Sequence, residues 1–257
     1  MGEKVNTADD DAFSSGRSTL PIGDGRGQLR RADSMEKGMT MAIRAYAFDA
    51  YGTLFDVHAA IARHREVIGP DADAFSALWR AKQLEYSWTR TLMDRYQDFW
   101  SLTEQALDHA LSRFPSIDRS IAPALLDAYW RLSAYPDVLP ALMRLRLMGH
   151  QIAIFTNGTA AMAEGAANAS AVLPFVDAIV SVDDIRQFKT VPEAYGLLLR
   201  KLDMEAEEVC LVSSNRWDIA GGKAFGLPAI WVNRTGMPDE YKDLAPDRVI
   251  ASLGELI

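Results

Sequence analysis

Four short apolar runs in this chain each lead into side chains that can do chemistry. "IRAYAF" runs into Asp49, with Thr53 four residues further on; "QIAIF" ends in Thr156, Asn157 and Gly158. "DAIVSV" is followed by Lys189, and "EVCLVSS" ends in Ser213, Ser214 and Asn215, with Asp218 just after. Singly, each has a plain explanation: a turn aspartate, turn polar residues, a solvated lysine, an acid at a helix start. Gathered on one rim they make a reaction site. A buried carboxylate beside a lysine is held ionised, because an opposite charge favours the charged form. An ionised aspartate is a nucleophile and not a proton donor, so the reaction class is a covalent ester formed at carbon or at phosphorus. Thr53 and the turn amides would orient its oxygens.

The elements that must bring these residues together are legible in the pattern. The runs at 43–48, 151–155, 177–182, 208–214 and 228–234 have strand length. Segments of helical length lie between them: "DVLPALMRLRLMG", "AAMAEGAANAS", "PEAYGLLLRKLD" and "WDIAGGKAFG". Strands apolar on both faces and alternating with helices predict a parallel sheet covered by helices, an α/β Rossmann-like core. In such a sheet, ligands bind beyond the carboxyl ends of the strands, where the polar endings lie. Residues 57–135 read differently, as long aromatic-rich helical patterns such as "FSALWRAKQLEYSWTRTLMDRYQDFW" without a β-rich run. They predict a helical cap inserted into the core, which would comprise residues 41–56 and 136–257. Residues 1–40 lack apolar periodicity and read as a disordered leader, an expression remnant or an over-long start, with Met35, Met39 and Met41 as alternative starts. "GDGRG" in that stretch is no dinucleotide fingerprint, since no strand precedes it.

Bulk properties exclude several classes. A net charge of −8 without a basic block argues against nucleic-acid binding. No apolar stretch approaches the roughly 20 residues that span a bilayer. No hydrophobic segment follows the paired arginines of "LRRADS", so the expected location is cytoplasmic. The single cysteine, Cys210, lies in an apolar run and reads as a packed thiol in a reducing compartment.

"FDAYGTLFD", "LEYSW…DFW", "TNG", "K…Y" and "SSNRWD" together resemble the haloacid dehalogenase superfamily, and specifically its L-2-haloacid dehalogenase branch, over about residues 42–240. Phosphatase members resemble Asp-x-Asp, with a second acid that protonates the leaving alkoxide, and bind Mg²⁺ with acids after the fourth strand. Here Tyr51 stands at the second acid, and Ser213, Ser214 and Asn215 replace the hard oxygen ligands that Mg²⁺ needs. A halide leaves without a proton. The resemblance therefore implies hydrolysis of short L-2-haloacids to D-2-hydroxy acids with no metal or other cofactor, by a protein that forms a homodimer. It implies that Asp49 attacks C2 and that Thr53, Lys189, Ser213, Asn215 and Asp218 support it and prepare the water. Asp218 would be the base, with Lys189 as the other candidate, and Tyr195 falls on the family's tyrosine. Arg80 would receive the halide, a role that suits a permanently charged donor. Thr156 and Asn157 would hold the substrate carboxylate, and Tyr51, Leu84, Phe99 and Trp217 would form apolar walls. Trp79, Trp88 and Trp100 are expected to be packing.

Three departures from the family pattern bear on substrate size and halide preference. Thr156 stands where serine is usual, Ala81 where glutamine often follows the arginine, and "TVP" follows Lys189 in place of lysine–proline. Two alternatives remain at this level: a Mg²⁺-dependent phosphatase of the same superfamily, and a non-catalytic relative that binds small carboxylates.

Overall fold

A computed structural model describes residues 43–256; the expected leader, with its alternative starts, lies outside the described residues. In chain order the elements are β1 (Ala45–Asp49), α1 (Ala59–Ala62), α2 (Arg65–Ile68), α3 (Ala72–Leu92), α4 (Phe99–Arg113), α5 (Ala122–Trp130) and α6 (Val138–Leu147). There follow β2 (Gln151–Thr156), α7 (Ala160–Ala169), β3 (Ala178–Ser181), α8 (Pro192–Leu202), β4 (Val209–Ser213), α9 (Arg216–Phe225), β5 (Ala229–Val232) and β6 (Arg248–Ile250).

The six strands form one sheet in the order β3-β2-β1-β4-β5-β6, every neighbouring pair parallel. The fold is thus an α/β Rossmann-like core. Parallel strands need crossover helices, which cover both faces and force the strands to be apolar throughout. Phe48, Ile152, Ile154, Leu211 and Val212 are accordingly fully buried. The chain builds outward from β1 to β3, then returns to lay β4 on the other side of β1. That reversal places the ends of β1 and β4 side by side at the topological switch point, where open α/β sheets bind ligands. Phe48 pairs with Val212, so Asp49 and Ser213 end the two strands together.

Local chemistry fixes the helices that frame this rim. The Thr159 hydroxyl caps α7 by accepting the Met162 amide at 3.2 Å, and the Asp98 carboxylate caps α4 through the Ser101 amide at 3.0 Å. α8 starts at Pro192, whose missing N–H is no loss in a first turn.

Helices α1–α5 all lie between β1 and β2. Their stretch leaves and rejoins the sheet through a narrow stem. The Asp56 amide donates to the Ser133 carbonyl at 2.9 Å, the Tyr135 amide to the Leu54 carbonyl at 3.0 Å, and Phe55 bridges Ala134 antiparallel. Across the mouth of the core, the inserted helices meet it at several points. The Thr91 hydroxyl accepts the Phe188 amide, the Tyr96 hydroxyl donates to Asp183, and the Trp88 ring meets Trp217 edge-on at 5.5 Å. Trp88 therefore packs against one of the expected walls, while Trp100 pairs with Trp130 away from it.

The sixth strand, three residues at the sheet edge, carries too short an apolar run to be read from sequence. No helix among the described residues is long and apolar enough to cross a membrane.

Candidate active site

Asp49 ends β1 and is 5% exposed, while Lys189 and Asp218 are wholly buried. The lysine ammonium donates to Asp49 Oδ1 at 3.2 Å, to Asp218 Oδ2 at 2.9 Å and to the Phe155 carbonyl at 2.8 Å. It also lies 4.0 Å from the centre of the Phe155 ring. One buried cation thus bridges two buried carboxylates, a pairing that offsets part of the cost of burying them. Lys189 is held from its own main chain too, its amide donating to Asn157 Oδ1 at 2.9 Å.

The turn after β1 completes the shell of Asp49. Thr53 Oγ1 donates to Asp49 Oδ2 at 3.0 Å and accepts the Ser214 amide at 2.8 Å. Asn215 Nδ2 donates to the same Oδ2 at 2.7 Å and to the Tyr51 carbonyl at 3.2 Å. Gly52 takes a positive φ of 94°, which lets the backbone fold back so tightly. Ser213 is buried but works on the loop, its hydroxyl accepting the Asn215 amide at 3.1 Å.

Asp218 sits in the first turn of α9, and the Tyr195 hydroxyl donates to its Oδ1 and to its main-chain carbonyl, both at 3.1 Å. Burial pushes the Asp218 carboxyl up; the Lys189 charge opposes this and the Asp49 charge adds to it. Burial and the charge of Asp218 likewise hold the Tyr195 phenol well above its ordinary value. A carboxylate raised in this way is more basic than a surface aspartate, which suits proton abstraction.

At the end of β2, Thr156 is fully buried and its hydroxyl accepts the Gly158 amide at 2.9 Å. Asn157 Nδ2 is buried with no hydrogen-bond partner. Gly158 is required by close approach: a Cβ there would stand 2.8 Å from Tyr51 Cε2. The Tyr51 ring stacks on Tyr129 at 5.8 Å and on Phe99 at 6.3 Å.

From the inserted helices, Arg80 of α3 donates to the Tyr51 carbonyl at 3.2 Å, and its Nη1 is buried without a partner. Tyr51, Arg80, Leu84, Asn215 and Trp217 share the wall of a cleft of about 390 Å³. The structure thus sorts the residues selected from sequence into a buried charged cluster (Asp49, Thr53, Lys189, Tyr195, Asn215, Asp218) and a cleft beside it. Asn215 and Tyr51 belong to both sides. Ser213 and Asn157 adjoin the cluster by accepting the main-chain amides of Asn215 and Lys189, Thr156 bonds the Gly158 amide beside it, and Phe99 reaches the site through Tyr51.

Sequence reasoning missed the Phe155 carbonyl, which carries no side-chain signal, and Tyr129, which is one aromatic among many in the inserted helices. Cys210 is buried and its thiol is pushed up to about 12, chiefly by burial, so it is inert packing. No group of three or more His, Cys, Asp or Glu side chains among the described residues is placed to hold a metal ion.

Comparison with known proteins adds three findings. The family model of haloacid dehalogenase-like hydrolases matches residues 43–226. (S)-2-haloacid dehalogenase 1 of Pseudomonas sp. (strain CBS-3) is 48% identical over 216 residues, covering 83% of this chain and 95% of that protein. Two crystal structures superpose closely. One is a dehalogenase with an intermediate complex (42% identity, TM-score 0.82, 84% of this chain and 96% of that one). The other is the L-2-haloacid dehalogenase of Xanthobacter autotrophicus with chloropropionic acid covalently bound (36% identity, TM-score 0.74, 83% and 96%).

Proposed function

We propose a mechanism from the premise that the chain belongs to the haloacid dehalogenase-like hydrolases, in their L-2-haloacid dehalogenase branch, and is a hydrolase acting on carbon–halide bonds. A carboxylate oxygen of Asp49 attacks C2 of a short L-2-haloacid from the side opposite the halogen. The C–O bond forms as the C–halogen bond breaks, the halide leaves with the bonding pair, and C2 inverts. A water molecule then attacks the ester carbonyl of Asp49 while Asp218 takes its proton. The acyl–oxygen bond breaks, the departing alkoxide recovers a proton, and a D-2-hydroxy acid leaves with Asp49 restored.

The observation that carries this reading is the Lys189 ammonium shared between Asp49 and Asp218. It sets a cation against the nucleophile and a second, raised carboxylate beside it as base. Thr53 and Asn215 hold Oδ2 of the nucleophile, and Tyr195 orients the base. Arg80, with a buried unpartnered nitrogen, receives the halide. Thr156 and Asn157 take the substrate carboxylate, and Tyr51, Leu84, Phe99 and Trp217 enclose the carbon chain. Residues 57–135 act as the cap over the core of residues 41–56 and 136–257. Chloropropionic acid bound covalently in the Xanthobacter relative supports the ester. The branch further implies a cytoplasmic homodimer that uses no cofactor.

The test is halide release from 2-chloropropanoate or a haloacetate in excess chelator. Release is expected, with loss of at least a thousandfold in Asp49→Asn, the order of magnitude for removing a covalent nucleophile. A protein that frees no halide from any short haloacid, or that needs Mg²⁺ and hydrolyses phosphate esters, overturns the reading.

A further inference from the structure

Tyr129 lies at the centre of a buried group that the mechanism leaves unused. It comes from α5 and is only 2% exposed. Its ring is nearly parallel to that of Tyr51, at 5.8 Å and 8°, and packs tilted against Trp79 at 5.2 Å. Its hydroxyl donates to Gln83 Oε1 at 3.4 Å. Gln83 is 1% exposed, and its Nε2 donates to Thr103 Oγ1 at 2.9 Å, while that hydroxyl donates to the Phe99 carbonyl at 2.8 Å. With Nε2 committed to α4, the Gln83 carbonyl must face Tyr129.

Arg80 stands between these contacts. It donates to the main-chain carbonyl of Tyr51, the residue on which Tyr129 stacks, and its side chain also lies within hydrogen-bonding reach of the Tyr129 phenol. Gln83 is three positions along α3, so its side chain leaves the same face one turn away. The Arg80 charge also acts on the Tyr129 phenol, which burial pushes up and the guanidinium pulls back.

We propose that Tyr129 is a positioning residue for Arg80, steadying the guanidinium through the stacked Tyr51 and through its own hydroxyl, which Gln83 orients. The inference rests on the reading of Arg80 as the halide acceptor and deepens it. An arginine held by one carbonyl alone would swing among rotamers. Held at Tyr51 and Tyr129, it keeps a buried Nη1 without a partner, a donor left for the departing anion.

The test is Tyr129→Phe, which keeps the ring stack and removes the hydroxyl. In single-turnover halide release, the rate with 2-chloropropanoate is expected to fall about tenfold, the scale of one lost hydrogen bond. The rate with 2-bromopropanoate should fall less, because bromide leaves with less help, and KM should stay within about twofold. Inhibition by added chloride should weaken in parallel, which a merely structural role would not produce. Thr103→Val, which frees Gln83 without touching Tyr129, should move both readouts the same way by a smaller factor, and it decides the matter if Tyr129→Phe does not fold. Equal losses for both substrates with unchanged chloride inhibition overturn the proposal. Arg80→Met separates the two levels. If it leaves release unchanged, the halide role of Arg80 falls and the positioning role with it. If it cripples release while Tyr129→Phe does not, only the positioning role falls.

Discussion

Lys189 meets an acceptor at each of its three protons: Asp49, Asp218 and the Phe155 carbonyl. With every donor engaged it has the geometry of a fixed counter-charge, and on the proposed mechanism Asp218 is the base. Asp218→Asn should then leave the first half-reaction running. The variant is expected to release a single equivalent of halide and stop, with the substrate ester retained on Asp49 in the intact-protein mass. In the unaltered protein, burial raises Asp218, and a base must be deprotonated to work. As pH falls, turnover should fade at a value above the ordinary aspartate range near 3.9, and the fade should belong to ester hydrolysis and not to halide release. Rapid-mix halide release and steady-state turnover across pH measure the two limbs separately.

Helix α9 carries Asp218 in its first turn, and its glycines let it lie close against its neighbours. A Cβ on Gly221 would collide with the Tyr195 hydroxyl and come within 2.9 Å of Thr190 Cβ. Gly221→Ala should therefore cost about 1–3 kcal/mol by overpacking. By pushing Tyr195 away from Asp218 it should also lower turnover, read from a melting curve and kcat on the same preparation. At this scale much was legible from sequence. The runs through Phe48, Ile154 and Leu211 are apolar on both faces, and only a covered parallel strand needs that. "SSNRWD" marked the start of α9 because polar residues at a strand end must face the rim. β6 escaped because Arg248–Ile250 is an edge strand of three residues, with exposed and buried positions mixed. Tyr129 escaped because periodicity shows that an aromatic is buried, not which neighbour its hydroxyl meets.

Across the whole molecule, the reacting groups are enclosed: Asp49 is 5% exposed and Lys189 not at all. Several contacts tie the inserted helices to the core around them. The phenol of Tyr96 donates to the Asp183 carboxylate, a charge-assisted bond worth about 1.5–3 kcal/mol. Tyr96→Phe should loosen that contact. The Phe188 amide, held by Thr91 across the same seam, should then exchange with solvent about ten- to a hundredfold faster, as measured by hydrogen–deuterium exchange. The helices return to the sheet at the stem, where Leu54 and Asp56 pair with Tyr135 and Ser133. Two backbone hydrogen bonds there bring the boundaries of some eighty residues to one place. That makes the stem a splice site. A different helical module whose termini meet at the same spacing can be grafted there without disturbing a single strand pairing. Asp49, Lys189, Tyr51 and Trp217 stay with the core while the positions of Leu84 and Phe99 are exchanged, so one side of the cleft can be varied by recombination at two positions of the chain.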